Sequence, residues 1–190
     1  MNLFLKKIVK TVPKWIESCT YSNDEVVIYV SPDNLIPLLS FLRDHTQTQF
    51  KQLMDVTAVD QPSHRYRFDV VYNLLTLQYN ERLRVKVAVD EVTPVPSSTK
   101  LYSSSGWWER EVWDMFGIFF SNHPDLRRIL TDYGFAGHPL RKDFPLTGYT
   151  EVRYDDSEKR VVKEPVELTQ EFRFFDFQTP WETLERGREK

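Results

Sequence analysis

The sequence predicts an α+β fold: helices packed on one side of an antiparallel-rich mixed sheet, followed by an extended C-terminal tail. Three observations carry that expectation. The runs "FKQLMDVTAVD", "YRFDVVYNLLTLQYN" and "RLRVKVAVD" are β-branched and partly alternating, and the joints "QPSHR" and "YNER" are short and polar enough for antiparallel hairpins. Helical stretches lie before and after these runs in the order α, β, α, β, β, β, α, without the strict alternation of a parallel sheet. From about residue 131 no hydrophobic period is sustained.

Taken in order, "MNLFLKKIVKTVPKWIESC" places Leu5, Ile8, Val9, Val12 and Ile16 near one helical face and Lys6, Lys7 and Lys10 on another. It reads as a first helix packed on the domain. A transit peptide or a membrane-surface anchor is the other reading, but arginine and serine are scarce and Pro13 interrupts the helix. "EVVIYV" is a short strand. "SPDNLIPLLSFLRDH" carries helix start signals, with Ser31 and Asp33 as caps and Pro32 in the first turn, while Pro37 delays or kinks the regular part. In "RLRVKVAVD", Leu83, Val85, Val87 and Val89 point inward and Arg82, Arg84 and Lys86 outward, so one sheet face is wet. "EVTPVPSSTKLYSSS" is a bridge whose Ser104 or Ser105 is placed to cap an aromatic helix that ends at Gly117 in a left-handed cap.

The tail from residue 131 holds prolines at 139, 145, 165 and 180 together with Phe144, Tyr154, Phe172, Phe174, Phe175, Phe177 and Trp181. So many aromatics are unfavourable in water, so the segment either folds back on its own domain or lies along another subunit. Prolines and charges favour the second arrangement. The organisation expected is residues 1–130 as the α+β domain and residues 131–190 as an extended, partner-wrapping segment.

The composition excludes several function classes. With 28% charged residues, 41% hydrophobic residues and a formal charge of -3, the chain is that of a folded protein without the basic field of a nucleic-acid binder. The single cysteine, Cys19, rules out an intramolecular disulfide and cannot supply the thiolates of an iron-sulfur cluster. The longest apolar runs fall well short of the roughly 20 residues of a spanning helix. The six glycines form no phosphate-cradling motif, and there is no nucleophile elbow.

The stretch "GWWEREVWDMFGIFFSNHPDLRRIL" concentrates the chemistry-bearing side chains. Glu111 and Asp114 are neighbours at helical spacing, but the expected arrangement is an amphipathic helix that buries Trp108, Val112 and Met115, its acids near the N-terminal dipole or paired with arginines. Arg110 must find partners outside the adjacent glutamates. His123 and His138 lack the further ligands of a zinc site, so each is expected to bond a backbone carbonyl. Asp125 suits a cap for a turn at Leu126. Arg127, Arg128, Arg141 and Lys142 form a basic cluster that either binds carboxylates or stays solvated.

These residues also carry a resemblance. "EREVWDMFGIFFSNHPDLRRIL" at 109–130, followed by "TDYGFAGHPLRKDFPLTGYTEVRYD", resembles the signature of the respiratory complex I 30 kDa subunit family, and the likeness runs from about Tyr66 to Trp181. The ending "EFRFFDFQTPWE" resembles the mitochondrial and alphaproteobacterial type. The resemblance implies a peripheral-arm subunit of NADH:ubiquinone oxidoreductase on the matrix side of the mitochondrial inner membrane. Such a chain carries no redox cofactor, since flavin and iron-sulfur clusters belong to partner subunits, and it lies against the hydrogenase-like large subunit of the quinone site. The whole complex moves electrons from NADH to ubiquinone and translocates protons; this chain is expected to hold no catalytic residue. Glu109, Arg110, Glu111, Asp114, His123, Pro124, Asp125, Arg127, Arg128, Arg141 and Asp143 are then signature positions with a structural and interface role. Two other roles stay open: a proton relay through the acids of 109–114, and membership of a related membrane-bound hydrogenase-type complex, against which the mitochondrial-style tail argues.

Overall fold

A computed structural model of the chain describes residues 8, 10–22 and 25–175. Most of the expected first helix, and Phe177 and Trp181, lie outside the described residues. The chain divides into two compact units, Met1–Leu146 and Thr147–Lys190.

The first unit is built on a five-stranded sheet in the order β1-β2-β5-β4-β3. Its strands are β1 (Ser18–Ser22), β2 (Glu25–Tyr29), β3 (Gln52–Asp60), β4 (Phe68–Thr76) and β5 (Glu81–Val89). Only the β2–β5 pair is parallel, so the sheet is the antiparallel-rich mixed one that the sequence predicts. Cross-strand register makes the core. Val26 faces Leu83, Leu83 faces Leu74 and Leu74 faces Leu53, while the next row joins Ile28, Val85, Tyr72 and Val56. All eight side chains are buried, and Leu35, Leu38, Leu39 and Leu42 of helix α1 (Pro32–Asp44) belong to the same cluster. The alternating pattern of β5 thus buries Leu83, Val85, Val87 and Val89 as expected. Asn80 turns the chain from β4 to β5 at φ 51, a left-handed conformation that asparagine tolerates.

Several expectations are corrected. Pro37 does not delay α1, which runs unbroken from Pro32: a proline removes one hydrogen bond, and the apolar face on the core outweighs that loss. Ser31 stands at the N-cap of α1 without a side-chain bond to the helix, and instead accepts a bond from the Asn34 amide. Strand β1 was not expected, because "SCTYS" is polar and short; it is held by pairing with β2. A two-residue parallel bridge, β6 (Val95–Pro96) with β7 (Phe120–Ser121), brackets helix α2 (Ser105–Phe116) at its base.

Residues 131–146 belong to the first unit, so the compact body continues past residue 130. The reason is polar: Thr131 is held by Asp114, the Leu140 N–H by the Met115 carbonyl at 3.1 Å, and the Lys142 N–H by Asp60 at 2.8 Å.

The second unit is not wholly extended. Strands β8 (Thr150–Asp155) and β9 (Arg160–Pro165) form an antiparallel hairpin. Its turn is nucleated by Asp155, whose carboxylate accepts the Ser157 N–H at 2.8 Å, and Lys159 adopts φ 51. Pairing places Val152, Tyr154 and Val161 on one face, while Arg153 and Glu164 make a two-pronged ion pair on the other at 2.7 Å for each bond. Among the described residues no helix is long and apolar enough to cross a membrane.

Candidate functional site

The chemistry-bearing residues of the signature gather around α2 and the segments that follow it. Gly117 ends the helix at φ 77, as the sequence predicts, and its N–H returns to the Trp113 carbonyl. Ser104 and Ser105 do not cap by their side chains. Ser104 is itself helical in conformation and its hydroxyl reaches the Leu53 carbonyl, while that of Ser105 bonds the Tyr102 carbonyl at 2.7 Å.

Three buried carboxylates organise the site. Glu109 is fully buried on α2 and accepts the Ser97 hydroxyl at 2.6 Å, the Ser98 N–H at 2.7 Å and the Ser98 hydroxyl at 2.8 Å. Asp114, also fully buried, accepts the N–H groups of Ile129, Leu130 and Thr131 at 3.2, 2.7 and 3.0 Å, and the Thr131 hydroxyl at 2.7 Å. Burial pushes the Asp114 carboxyl up, but the four donors outweigh it and hold it below the ordinary carboxylate range. These acids therefore neither serve the helix dipole nor lie on its wet face. They tie the flanking loops to the helix.

The third carboxylate, Asp60, closes β3. Arg67 grips both of its oxygens at 2.8 and 3.0 Å, and the Lys142 N–H adds a bond at 2.8 Å. The guanidinium holds Asp60 below the ordinary range. Arg67 also reaches Glu91, and Asp143 at 3.0 Å. Arg67 and Arg141 lie near the Phe68 ring at 5.2 and 5.3 Å from its centre, and Arg141 donates to the Phe116 carbonyl at 2.6 Å. Asp60, Arg67 and Glu91 escape a reading of sequence alone, because they stand at the end of one strand run, the start of the next and the start of the bridge, and no local spacing links the three.

The two signature histidines bond backbone carbonyls, as expected. His123 accepts the Asp125 N–H on Nδ1 at 3.1 Å, which leaves Nε2 to donate to the Gly106 carbonyl at 3.3 Å. Glu109 lies 3.9 Å from the same Nε2. His138 donates from Nδ1 to the Asp114 carbonyl at 2.9 Å and meets Trp113 edge-on; burial lowers its pKa, opposed by that carbonyl bond.

The remaining signature residues are dispersed. Arg110 finds its partner in the Arg127 carbonyl at 3.2 Å. Asp125 bonds Arg127 at 2.9 Å and caps no turn at Leu126, because its N–H and carboxylate are both engaged sideways. Arg128 donates to the Thr131 hydroxyl and lies 3.8 Å from Asp114. Arg127, Arg128 and Arg141 therefore serve separate acceptors, and Lys142 takes part through its backbone N–H. Pro124 is exposed beside them, and Glu111 sits apart, half-buried. Among the described residues, no group of three or more His, Cys, Asp and Glu side chains is arranged to hold a metal ion.

Residues 28–150 match the family described as respiratory-chain NADH dehydrogenase, 30 Kd subunit. The chain is 61% identical to "NADH-ubiquinone oxidoreductase subunit 9" of Prototheca wickerhamii, across 98% of this chain and 97% of that protein. It is 62% identical to "NADH dehydrogenase [ubiquinone] iron-sulfur protein 3" of Marchantia polymorpha, across 99% and 96%. A solved chain of an archaeal membrane-bound sulfane sulfur reductase shares the fold at a TM-score of 0.64 and 24% identity, covering 75% of this chain and 84% of that one.

Proposed function

The chain belongs to the 30 kDa subunit family of the respiratory-chain NADH dehydrogenase, and from that premise we propose that it is a structural and assembly subunit, free of redox cofactors, that supports the quinone-site large subunit. It is a peripheral-arm subunit of NADH:ubiquinone oxidoreductase, and the reaction from NADH to ubiquinone is that of the whole complex.

One observation carries the structural role. The buried acids of the site are all occupied by donors of their own chain: Asp60 by Arg67 and Lys142, Glu109 by Ser97 and Ser98, Asp114 by residues 129–131. Carboxylates spent in this way fix loops and leave no lone pair poised over a reacting atom. A proton relay through Glu109 and Asp114 is disfavoured for the same reason. Identities near 60% over almost the whole chain favour the NADH dehydrogenase over a hydrogenase-type complex.

The words "iron-sulfur" in the name of the Marchantia relative find no thiolate set here. Cysteine ligation of a cluster needs four thiolates and the chain has Cys19 alone, so the clusters and the flavin are assigned to neighbouring subunits. We place the chain on the matrix side of the mitochondrial inner membrane, with its residues 131–190 engaging the hydrogenase-like large subunit. The apolar face of the β8–β9 hairpin supports that engagement, since a lone two-stranded hairpin is marginal in water.

The test is Arg128→Ala in the organism's own complex. Less assembled complex on a native gel, with turnover per assembled complex close to normal, is the expected result. Unchanged assembly with abolished turnover would overturn the structural role.

A further inference from the structure

A groove of about 220 Å³ runs between the edge strand β3 and helix α2. Val56, Val112 and Phe116, all buried, are among the apolar residues that line it, together with Trp108 and Met115. Leu140 completes the lining, anchored by its N–H on the Met115 carbonyl. Asp55 and Glu111 also line it, and among the described residues neither carboxylate has a hydrogen-bond or ion-pair partner. The contrast with Asp60, Glu109 and Asp114 is direct: those acids are met by donors of this chain, and among the described residues these two are not.

From this arrangement we propose that the groove is a socket for one arginine side chain of another subunit of the same complex. The proposal rests on the reading of the chain as an assembled subunit. The volume is below the roughly 300–1,000 Å³ of small-molecule sites, which favours a single side chain over a cofactor. An apolar lining suits the methylene stem of a long basic residue, whose charged head stays with the carboxylates of Asp55 and Glu111. The Trp108 indole offers a surface on which a planar guanidinium stacks, and two carboxylates that meet no cation among the described residues supply its acceptors. Arginine fits better than lysine because its fork can serve both acids while it stacks. Arginine is among the residues that dominate interface energetics when seated in a desolvated pocket.

The experiment uses the intact complex. With p-benzoylphenylalanine in place of Leu140, illumination is expected to join the chain to a segment of another subunit that contains an arginine. Asp55→Asn with Glu111→Gln is expected to speed release of the chain from the complex by about tenfold or more, and mutating the captured arginine to Met should have the same effect without adding to it. Release within about twofold of the parent would overturn the socket. So would a crosslink to a segment without arginine, to lipid, or to residues 147–190 of the same chain. If the chain still co-migrates with the complex in those cases, the subunit reading stands and only the socket falls. Should the double variant fail to fold, the crosslink, made with both carboxylates intact, decides the matter.

Discussion

Asp114→Ala removes the acceptor of three backbone N–H groups and one hydroxyl at a single stroke. Each donor left without a partner costs about 1–3 kcal/mol, and the half-buried loop at 129–131 lets water meet part of that need, so the low end applies. The loop should therefore lose about 3–4 kcal/mol of local stability, which is roughly 100- to 1,000-fold in an opening equilibrium. Hydrogen exchange of the amides of Ile129, Leu130 and Thr131 in the assembled complex reads that quantity directly. Asp114→Asn is the sharper variant. Its remaining carbonyl oxygen can keep the three N–H bonds while the Thr131 hydroxyl turns to accept, so only the charge assistance is lost and exchange should rise about tenfold. If alanine raised exchange by less than about tenfold, or asparagine did as much damage as alanine, Asp114 would not be the anchor of this loop.

Three further outcomes follow from the same structure. Gly117→Ala should lower the thermal midpoint by more than about 2–4 °C, because φ 77 alone costs a non-glycine residue about 1 kcal/mol and the new Cβ would also lie 2.5 Å from His138 Nε2 and 2.7 Å from Arg141 Nη2. Gly106→Ala, whose Cβ meets nothing nearer than 3.9 Å, should leave the midpoint unchanged or raise it. Acid should destabilise the fold in two stages. His138 has a folded pKa lowered by burial, so its contribution is complete above the unfolded value near 6.5 and is lost as pH falls from there through the folded one. Asp60 and Asp114 are also lowered, so theirs is complete above about 4 and is lost as pH falls through their folded values. Urea midpoints measured against pH check this: His138→Gln should abolish the first stage and Asp60→Asn should soften the second.

Much of the fold is legible in the chain because side-chain periodicity reports it. The alternation of Leu83 to Val89 announces β5, and Val112 and Gly117 announce the core face and end of α2, although Trp108 and Met115, expected in the core, are only half-buried and Phe116 takes that place. Both histidines of the site follow from elimination, since no ligand set accompanies them. What is not legible depends on partners distant in sequence. The polar β1 exists because β2 offers an edge, and the parallel β2–β5 contact joins segments that no local pattern links. The acids of α2 read as partners of the helix dipole or of arginines, because their true donors are serine and threonine hydroxyls and backbone N–H groups, and the latter are carried alike by every residue but proline. Arg67 is hidden for the complementary reason: its three carboxylate partners lie on three different segments, at Asp60, Glu91 and Asp143.

The Asp60 node also sets an order of events during synthesis. Its Arg67 partner lies 7 residues downstream and is on hand almost as soon as β3 leaves the ribosome. Its other donor, the Lys142 N–H, lies 82 residues downstream. At translation rates of about 5–20 residues per second, that second donor arrives some 4–16 s later. Arg67 thus acts as a placeholder for the nascent chain, keeping a carboxylate destined for burial charge-compensated until the Lys142 N–H arrives to complete its set of donors.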